Sequence, residues 1–180
     1  MIHLSVNNKN SKEAWNTIYN TDIGNHAWGG TWAVLDKILE DCIEIFDYGC
    51  GMAYYMSHLK NLGKIVNGFE RSIVAIKHIR RRDSELFVYN YLPDKCYEAV
   101  LCMEVLEHLD SPDELMRLLI KKAKRKLILT VPNNGGGKYH VNLFTEKDFS
   151  TIFCDYSVKQ TVIHPPWGGD KRIVEVVKCK

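Results

Sequence analysis

The stretch EIFDYGCGMAYYMSHL, residues 44–59, decides how this chain is read. EIFDY (44–48) is short and rich in β-branched and aromatic residues, the pattern of a buried strand. Gly49-Cys50-Gly51 then punctuates the chain, and MAYYMSHLKNLG (52–63) continues with a helical pattern that Gly63 closes. Strand, glycine turn and helix make the opening of a βα unit. Glycines at its hinge let bare backbone approach something, a ligand or the next helix.

Outward from this unit the pattern alternates. KIVNGFE (64–70), ELFVYNYL (85–92), YEAVLCM (97–103) and KLILTV (126–131) read as strands. TWAVLDKILEDC (31–42) reads as an amphipathic helix with Trp32, Leu35 and Leu39 on one stripe. SIVAIKHIRRR (72–82) is helical with Ser72 as N-cap. SPDELMRLLIKKAKR (111–125) carries a strong start, with Ser111 at the N-cap, Pro112 at N1 and Glu114 at N3. TEKDFSTIF (145–153) is a short helix capped by Thr145, and two strand-like tails follow, DYSVKQTVI (155–163) and RIVEVVK (172–178). Apolar strands alternating with helices imply an α/β, doubly wound, mostly parallel sheet covered on both faces. Two closing strands with no helix between them imply a hairpin, so one of them runs antiparallel to the rest.

The bulk numbers exclude several classes. With 180 residues, 46% hydrophobic and 26% charged, the chain is expected to form one globular domain, with residues 1–30 as a polar, Asn-rich lid segment and 31–180 as the core. A net charge of +2 does not argue for nucleic acid. No apolar run has membrane-spanning length, and MIHLSVNNKNSKEAW lacks a signal-peptide core. The six cysteines, at 42, 50, 96, 102, 154 and 179, form no CxxC pair. Free thiols in a reducing cytoplasm are the simplest reading, so the expected location is cytoplasmic.

Ligands of a doubly wound sheet bind beyond the carboxyl ends of the strands. There this chain offers Asp47-Tyr48-Gly49-Cys50-Gly51 and, one strand over, Glu70, a carboxylate suited to ribose hydroxyls. A nicotinamide dinucleotide wants G-x-G-x-x-G, but Tyr54 stands where its last glycine belongs. Asp47 would repel a pyrophosphate and suits a ligand bearing an ammonium group. Taken singly, the glycines fit a tight turn, Asp47 an N-cap and Glu70 a solvated charge; their joint spacing favours a ligand.

Asp-x-Gly-Cys-Gly resembles the glycine motif of class I S-adenosylmethionine-dependent methyltransferases. GFERS (68–72) is similar to that family's ribose-binding segment, and VYNYLPDKCYEAVLCMEVLEHLDSPDELM (88–116) to its adenine loop, fourth strand and following helix. LILTVPN (127–133) and HVNLFTEKDF (140–149) resemble its fifth strand and the lead-in to its next helix, and CMEVLEHL is especially close to the ubiquinone-type O-methyltransferase branch. The resemblance implies a Rossmann-like seven-stranded sheet and S-adenosylmethionine as cofactor, leaving as S-adenosylhomocysteine. It implies cofactor contacts from Asp47, Gly49, Cys50, Gly51, Glu70, Arg71, Asn90, Tyr91 and Met103. Two departures stand out: Ala53 occupies a place where the family often has a third glycine, and Asn90 replaces the usual adenine-loop aspartate.

Methyl transfer needs an aligned acceptor and, for a hydroxyl, removal of its proton. If Glu104-Val105-Leu106-Glu107-His108 begins a helical turn, Glu104, Glu107 and His108 share one face. His140 arrives from the loop after the fifth strand. Glu104, His108 and His140 are therefore the candidate catalytic groups, with histidine as general base. The alternative is that Glu104, Glu107, His108 and His140 hold Mg²⁺ or Mn²⁺, in partial resemblance to plant-type small-RNA ribose 2′-O-methyltransferases; the metal-free site is the expectation. Trp15, Tyr19, His26, Trp28 and Trp32 either close over the site as a lid or pack as an amphipathic helix. NNGGGKYH (133–140) is a glycine-rich loop at the site's edge, and HPPWGGD (164–170) is the hairpin turn. The basic runs 77–82 and 121–126 read as solvated charge at helix ends. The expected acceptor is a small molecule, with RNA as the alternative partner, no membrane partner, and a non-catalytic binding module as the third option.

Overall fold

The computed structural model describes residues 11–21, 29–133, 139–165 and 169–178, without the side chains of residues 21, 29 and 30. The elements run α1 (Lys12–Thr21), α2 (Gly29–Ile38), β1 (Glu44–Tyr48), α3 (Tyr54–Asn61), β2 (Ile65–Phe69), α4 (Ile73–Arg82), β3 (Phe87–Tyr89) and β4 (Tyr97–Met103). A short 3₁₀ turn (Leu106–His108) follows, then α5 (Pro112–Lys122), β5 (Ala123–Pro132), α6 (Glu146–Ile152), β6 (Ser157–Ile163) and β7 (Lys171–Val177).

The seven strands form one sheet in the order β3-β2-β1-β4-β5-β7-β6. All are parallel except β7, which runs against both β5 and β6. The order reverses between β1 and β4, so the ends of those two strands open the crevice where such sheets bind ligands. Successive side chains of a strand face opposite ways. Leu101 and Ile128 therefore join the core under α2, α3 and α4, with Leu35, Met56, Leu59, Ile76 and Ile79. Val100, Cys102, Leu127 and Leu129 join the core under α5 and α6, with Leu115, Leu119 and Phe149. Burial on both faces explains why the central strands read as unbroken apolar runs.

Helix ends follow local chemistry where tertiary contacts agree with it. The Ser72 hydroxyl accepts from the Ala75 N–H at 3.3 Å and starts α4. Gly63 ends α3 at φ +80°, with its own N–H on the Lys60 carbonyl at 2.9 Å and that of Lys64 on the Leu59 carbonyl at 3.1 Å. Asp148 accepts from both the backbone N–H and the hydroxyl of Thr145, at 2.6 and 2.8 Å, to start α6.

Two helices are shorter than the sequence predicts. The amphipathic segment 31–42 is helical only to Ile38, and segment 111–125 only to Lys122. Helix propensity would carry the second on through AKR, but pairing with β4 draws Ala123 into β5. Ser111 makes no capping hydrogen bond. The basic run 121–126 thus straddles a helix–strand junction, and four of its five charges, on Lys122, Lys124, Arg125 and Lys126, are paired with acids. Lys124 meets Glu44 at 3.3 Å and Lys126 meets Asp41 at 2.9 Å. Lys126 also donates to the Ile38 carbonyl at 2.8 Å, which accounts for where α2 stops.

The turn after β1 is pinned to β2: the N–H groups of Gly49 and Cys50 both donate to the Phe69 carbonyl, at 2.8 and 3.0 Å. Gly49 has φ +75°, and a Cβ there would stand 2.5 Å from the Val105 side chain. Gly49→Ala is expected to lower the unfolding free energy by about 2–3 kcal/mol in urea titration, the sum of left-handed strain and overlap. In a Val105→Ala background the cost should drop to about 1 kcal/mol, the backbone part alone.

Candidate active site

Asp47 is the fourth residue of β1 and is 1% exposed. Neither of its oxygens has a hydrogen-bond partner among the described residues. Burial, then the neighbouring Glu70, pushes its carboxyl up to about 7. Glu70 follows β2, is 4% exposed, and accepts from the N–H groups of Gly51 at 3.0 Å and Ser72 at 2.7 Å. Burial pushes it up to about 7 as well, against the pull of those backbone donors. A carboxylate oxygen accepts two hydrogen bonds, so Glu70 keeps capacity for hydroxyl donors. Two buried acids side by side, one wholly without donors, form a seat for a ligand that brings a cation and hydroxyls.

The glycines serve this seat differently from the expectation of bare backbone under a ligand. Gly49 makes room for Val105, and the space beside Gly51, at φ +56°, is taken by the Tyr19 hydroxyl, 3.0 Å from where a Cβ would stand. Ala53 also has a positive φ, +56°, which is why a glycine suits that place. Arg71 follows Glu70 and lowers its pKa by charge. Asn90 and Tyr91 are exposed in the loop after β3, and Met103 is the half-buried last residue of β4. Burial raises the Cys50 thiol, so it packs rather than reacts.

On the other side of the crevice the expected single helical face does not form. Glu104 has φ +54°, which turns the chain sharply off β4 before the 3₁₀ turn begins. Its carboxylate accepts from the Thr130 hydroxyl at 3.1 Å and from the Lys171 amine. Glu107, His108 and His140 instead come together, with one ligand atom from each lying within 4.8 Å of the others. Glu104 is left out because a left-handed residue breaks the i, i+3 spacing that the sequence suggested. Glu107 is 1% exposed, and its Oε2 has no partner among the described residues. Burial and then the Glu104 charge hold its carboxyl well above the usual range.

His108 Nδ1 lies 3.0 Å from the Tyr139 carbonyl, so the neutral ring donates from Nδ1 and keeps its lone pair on Nε2. His140 sits edge-on at 5.0 Å between ring centres. Burial lowers the pKa of both histidines, which favours the neutral, proton-accepting form.

One helix covers both halves. In α1, Asn16 accepts from the Ser72 hydroxyl at 2.7 Å, Tyr19 lies over Gly51, and Trp15 meets His108 edge-on at 5.2 Å. Trp32 has another role, stacked on His58 at 5.0 Å against α3. His26 and Trp28 lie outside the described residues, as does most of the glycine-rich loop 133–140. Sequence reasoning missed Lys171, Thr130 and Asn16. Each is an ordinary polar residue with no local motif, brought in by strand order or helix packing.

Residues 33–156 match the family model described as a methyltransferase domain. The chain belongs to that family and to class I of the S-adenosylmethionine-dependent methyltransferases. It is 30% identical over 105 residues to the ubiquinone biosynthesis O-methyltransferase of two strains of Rickettsia bellii. That match takes in 49% of this chain and 41% of the relative, so the chain spans less than half the length of the curated proteins it matches. Its fold is shared with magnesium protoporphyrin IX methyltransferase from Synechocystis PCC 6803 with bound S-adenosylmethionine: TM-score 0.70, 20% identity, 92% of this chain and 89% of that one. It is shared also with 1,6-didemethyltoxoflavin-N1-methyltransferase of Burkholderia thailandensis, at TM-score 0.74 and 13% identity, over 94% and 87% of the two chains. The cofactor of this class has an ammonium group and a ribose diol, which suit the partnerless Asp47 and the half-used Glu70.

Asp47 carries a stability cost that depends on pH. In the unfolded chain an aspartate titrates near 4. Between there and about 7 the folded protein holds a proton that the unfolded chain has lost, so stability falls as pH rises through that window. Asp47→Asn should therefore raise the unfolding free energy by roughly 2–4 kcal/mol at pH 8 and leave it unchanged near pH 4, in paired urea titrations.

Proposed function

We propose that this protein transfers the methyl group of S-adenosylmethionine to an oxygen or nitrogen nucleophile of a small molecule. The observation that carries the reading is the partnerless carboxylate of Asp47, one strand from Glu70, at the switch point of a methyltransferase-family sheet. Asp47 would hold the ammonium end of the cofactor and Glu70 its ribose hydroxyls. Arg71, Asn90, Tyr91 and Met103 would flank the adenine side. When bound, the cofactor supplies an electrophilic methyl on a sulfonium.

The chain's own residues then have separable tasks. His108 would take the acceptor's proton on Nε2, with the Tyr139 carbonyl fixing its tautomer. His140, neutral for the same reason of burial, would orient the acceptor or share that proton. Glu104 is engaged by Thr130 and Lys171, so it would shape the acceptor side rather than act as the base. Trp15 and Tyr19 on α1 would close the site against water. The printed names of the relatives, which concern ubiquinone biosynthesis, magnesium protoporphyrin IX and 1,6-didemethyltoxoflavin, support a small acceptor. No helix among the described residues is long and apolar enough to cross a membrane.

The Glu107–His108–His140 cluster favours a second reading: a Mg²⁺ or Mn²⁺ ion held there would bind and acidify a diol, such as an RNA 3′-terminal ribose. Methyl transfer from labelled cofactor to metabolite and RNA pools separates the two. The first reading expects label in small molecules, insensitive to EDTA; label in RNA that EDTA abolishes would replace it with the second.

Calorimetry with S-adenosylhomocysteine tests the cofactor half directly. Wild type should bind, Glu70→Ala should bind more weakly by roughly 1–3 kcal/mol, and absence of wild-type binding would sink both readings. His108→Gln should leave that affinity unchanged and slow methyl transfer by about 100-fold or more.

A further inference from the structure

We infer that Arg82 is a positioning residue for the cofactor turn, compensating for an alanine in a place that favours glycine. The inference rests on the methyltransferase reading of that turn. Between β1 and α3 the chain passes through three residues of positive φ: Gly49 at +75°, Gly51 at +56° and Ala53 at +56°. For a glycine this conformation is free. For alanine the Cβ crowds the next carbonyl oxygen, which disfavours the conformation. Ala53 is fully buried, and it decides where α3 begins: its N–H donates to the Cys50 carbonyl at 2.8 Å, and its carbonyl accepts from Ser57 at 3.0 Å. A strained residue persists where its surroundings over-determine it.

Arg82 supplies that constraint. Its guanidinium donates to the Met52 carbonyl at 2.6 Å, which belongs to the peptide unit leading into Ala53. The same Nη2 reaches the Ser57 hydroxyl at 3.4 Å, and the guanidinium carbon lies 4.4 Å from the centre of the Tyr54 ring. One rigid, planar group thereby touches residues 52, 54 and 57, on both sides of the strained residue. Its own helix end is anchored too, because Asp83 pairs with Lys60 of α3 at 3.0 Å. The basic run 77–82 is therefore not simply solvated charge.

The link to the cofactor is short. Holding the peptide between Met52 and Ala53 holds Gly51 just before it, and the Gly51 N–H donates to Glu70 at 3.0 Å. Helix α4 leaves from Ser72, beside Glu70, and returns through Arg82 to the turn that Glu70 bonds. Ribose carboxylate and glycine turn are thus braced through one helix. Arg82 acts on the cofactor only through the backbone of this turn.

The test is calorimetry with S-adenosylhomocysteine on the full chain, as wild type, Arg82→Gln, Arg82→Lys, Ala53→Gly and the Ala53→Gly/Arg82→Gln pair. Arg82→Gln should weaken binding about 5- to 10-fold, and Arg82→Lys, which keeps the charge but not the fork, should restore only part of it. With glycine at 53 the brace is redundant, so the double variant should bind within about 2-fold of Ala53→Gly. Arg82→Gln binding as tightly as wild type while melting lower would mean a merely structural contact and would overturn the proposal. An equal loss with alanine or glycine at 53 would overturn it too. Amide exchange at Ala53 and Ser57 gives a ligand-free reading: faster in Arg82→Gln, wild-type rates in the double variant. If wild type failed to bind the ligand, the methyltransferase reading would fall, and unaltered exchange in Arg82→Gln would separately refute the brace.

Discussion

A carboxyl group at the end of a strand paired on both sides, shut away from water and met by no donor among the described residues, sets the terms for this molecule. Asp47 is held there by β2 on one side and β4 on the other, and its ionised form is opposed first by burial and then by Glu70. A fold selected for stability alone would place an apolar residue at this position. What surrounds it is arranged to keep that unfavourable group in place: the turn after β1 bonds to the Phe69 carbonyl, Glu70 grips Gly51 and Ser72, and Arg82 closes the loop from outside.

The other half of the crevice is built on a second local exception. Glu104 leaves β4 in the left-handed region, and the Thr130 and Lys171 donors hold its side chain. Those donors come from β5 and β7, so the shape of the turn bearing Glu107 and His108 depends on the antiparallel strand at the end of the chain. The loop after β5 returns to the same turn, where the N–H groups of Val141 and Asn142 donate to the Glu107 carbonyl at 2.7 and 3.2 Å. Helix α1 then spans the crevice and touches both halves, Ser72 and Gly51 on one side and His108 on the other. Both halves of the crevice are therefore closed by parts of the chain remote in sequence from the strands that form it.

Charge follows the same division. At the amino ends of the strands, far from the crevice, Lys124 of β5 meets Glu44 of β1, and Arg125 and Lys126 meet Asp41 in the loop that leaves α2. The crevice is acidic by contrast, which suits a cationic cofactor rather than a phosphate-bearing one.

The central strands were legible because burial on both faces leaves apolar runs that need no partner to be recognised: EIFDY and YEAVLCM match β1 and β4 residue for residue, whereas of ELFVYNYL (85–92), at the sheet edge, only Phe87–Tyr89 is strand. The placement of Asp47, the glycines and Glu70 at the carboxyl ends of β1 and β2 was legible because those ends follow directly from the strand pattern. The end of α5 was not legible, since AKR has helical propensity and only pairing with β4 turns it into strand. Nor was the separation of Glu104 from Glu107 and His108, because a positive φ at a non-glycine residue leaves no mark in composition or periodicity. The sequence by itself determined the order of elements, the two buried cores and the pair of acids at the ends of β1 and β2, all of which follow from patterns within a few residues. Only the tertiary structure decided which acid joins the two histidines, what covers Gly51 and which side chain bonds the peptide leading into Ala53. Each of those depends on a side chain from a distant strand or helix, and strand order and backbone strain place it there.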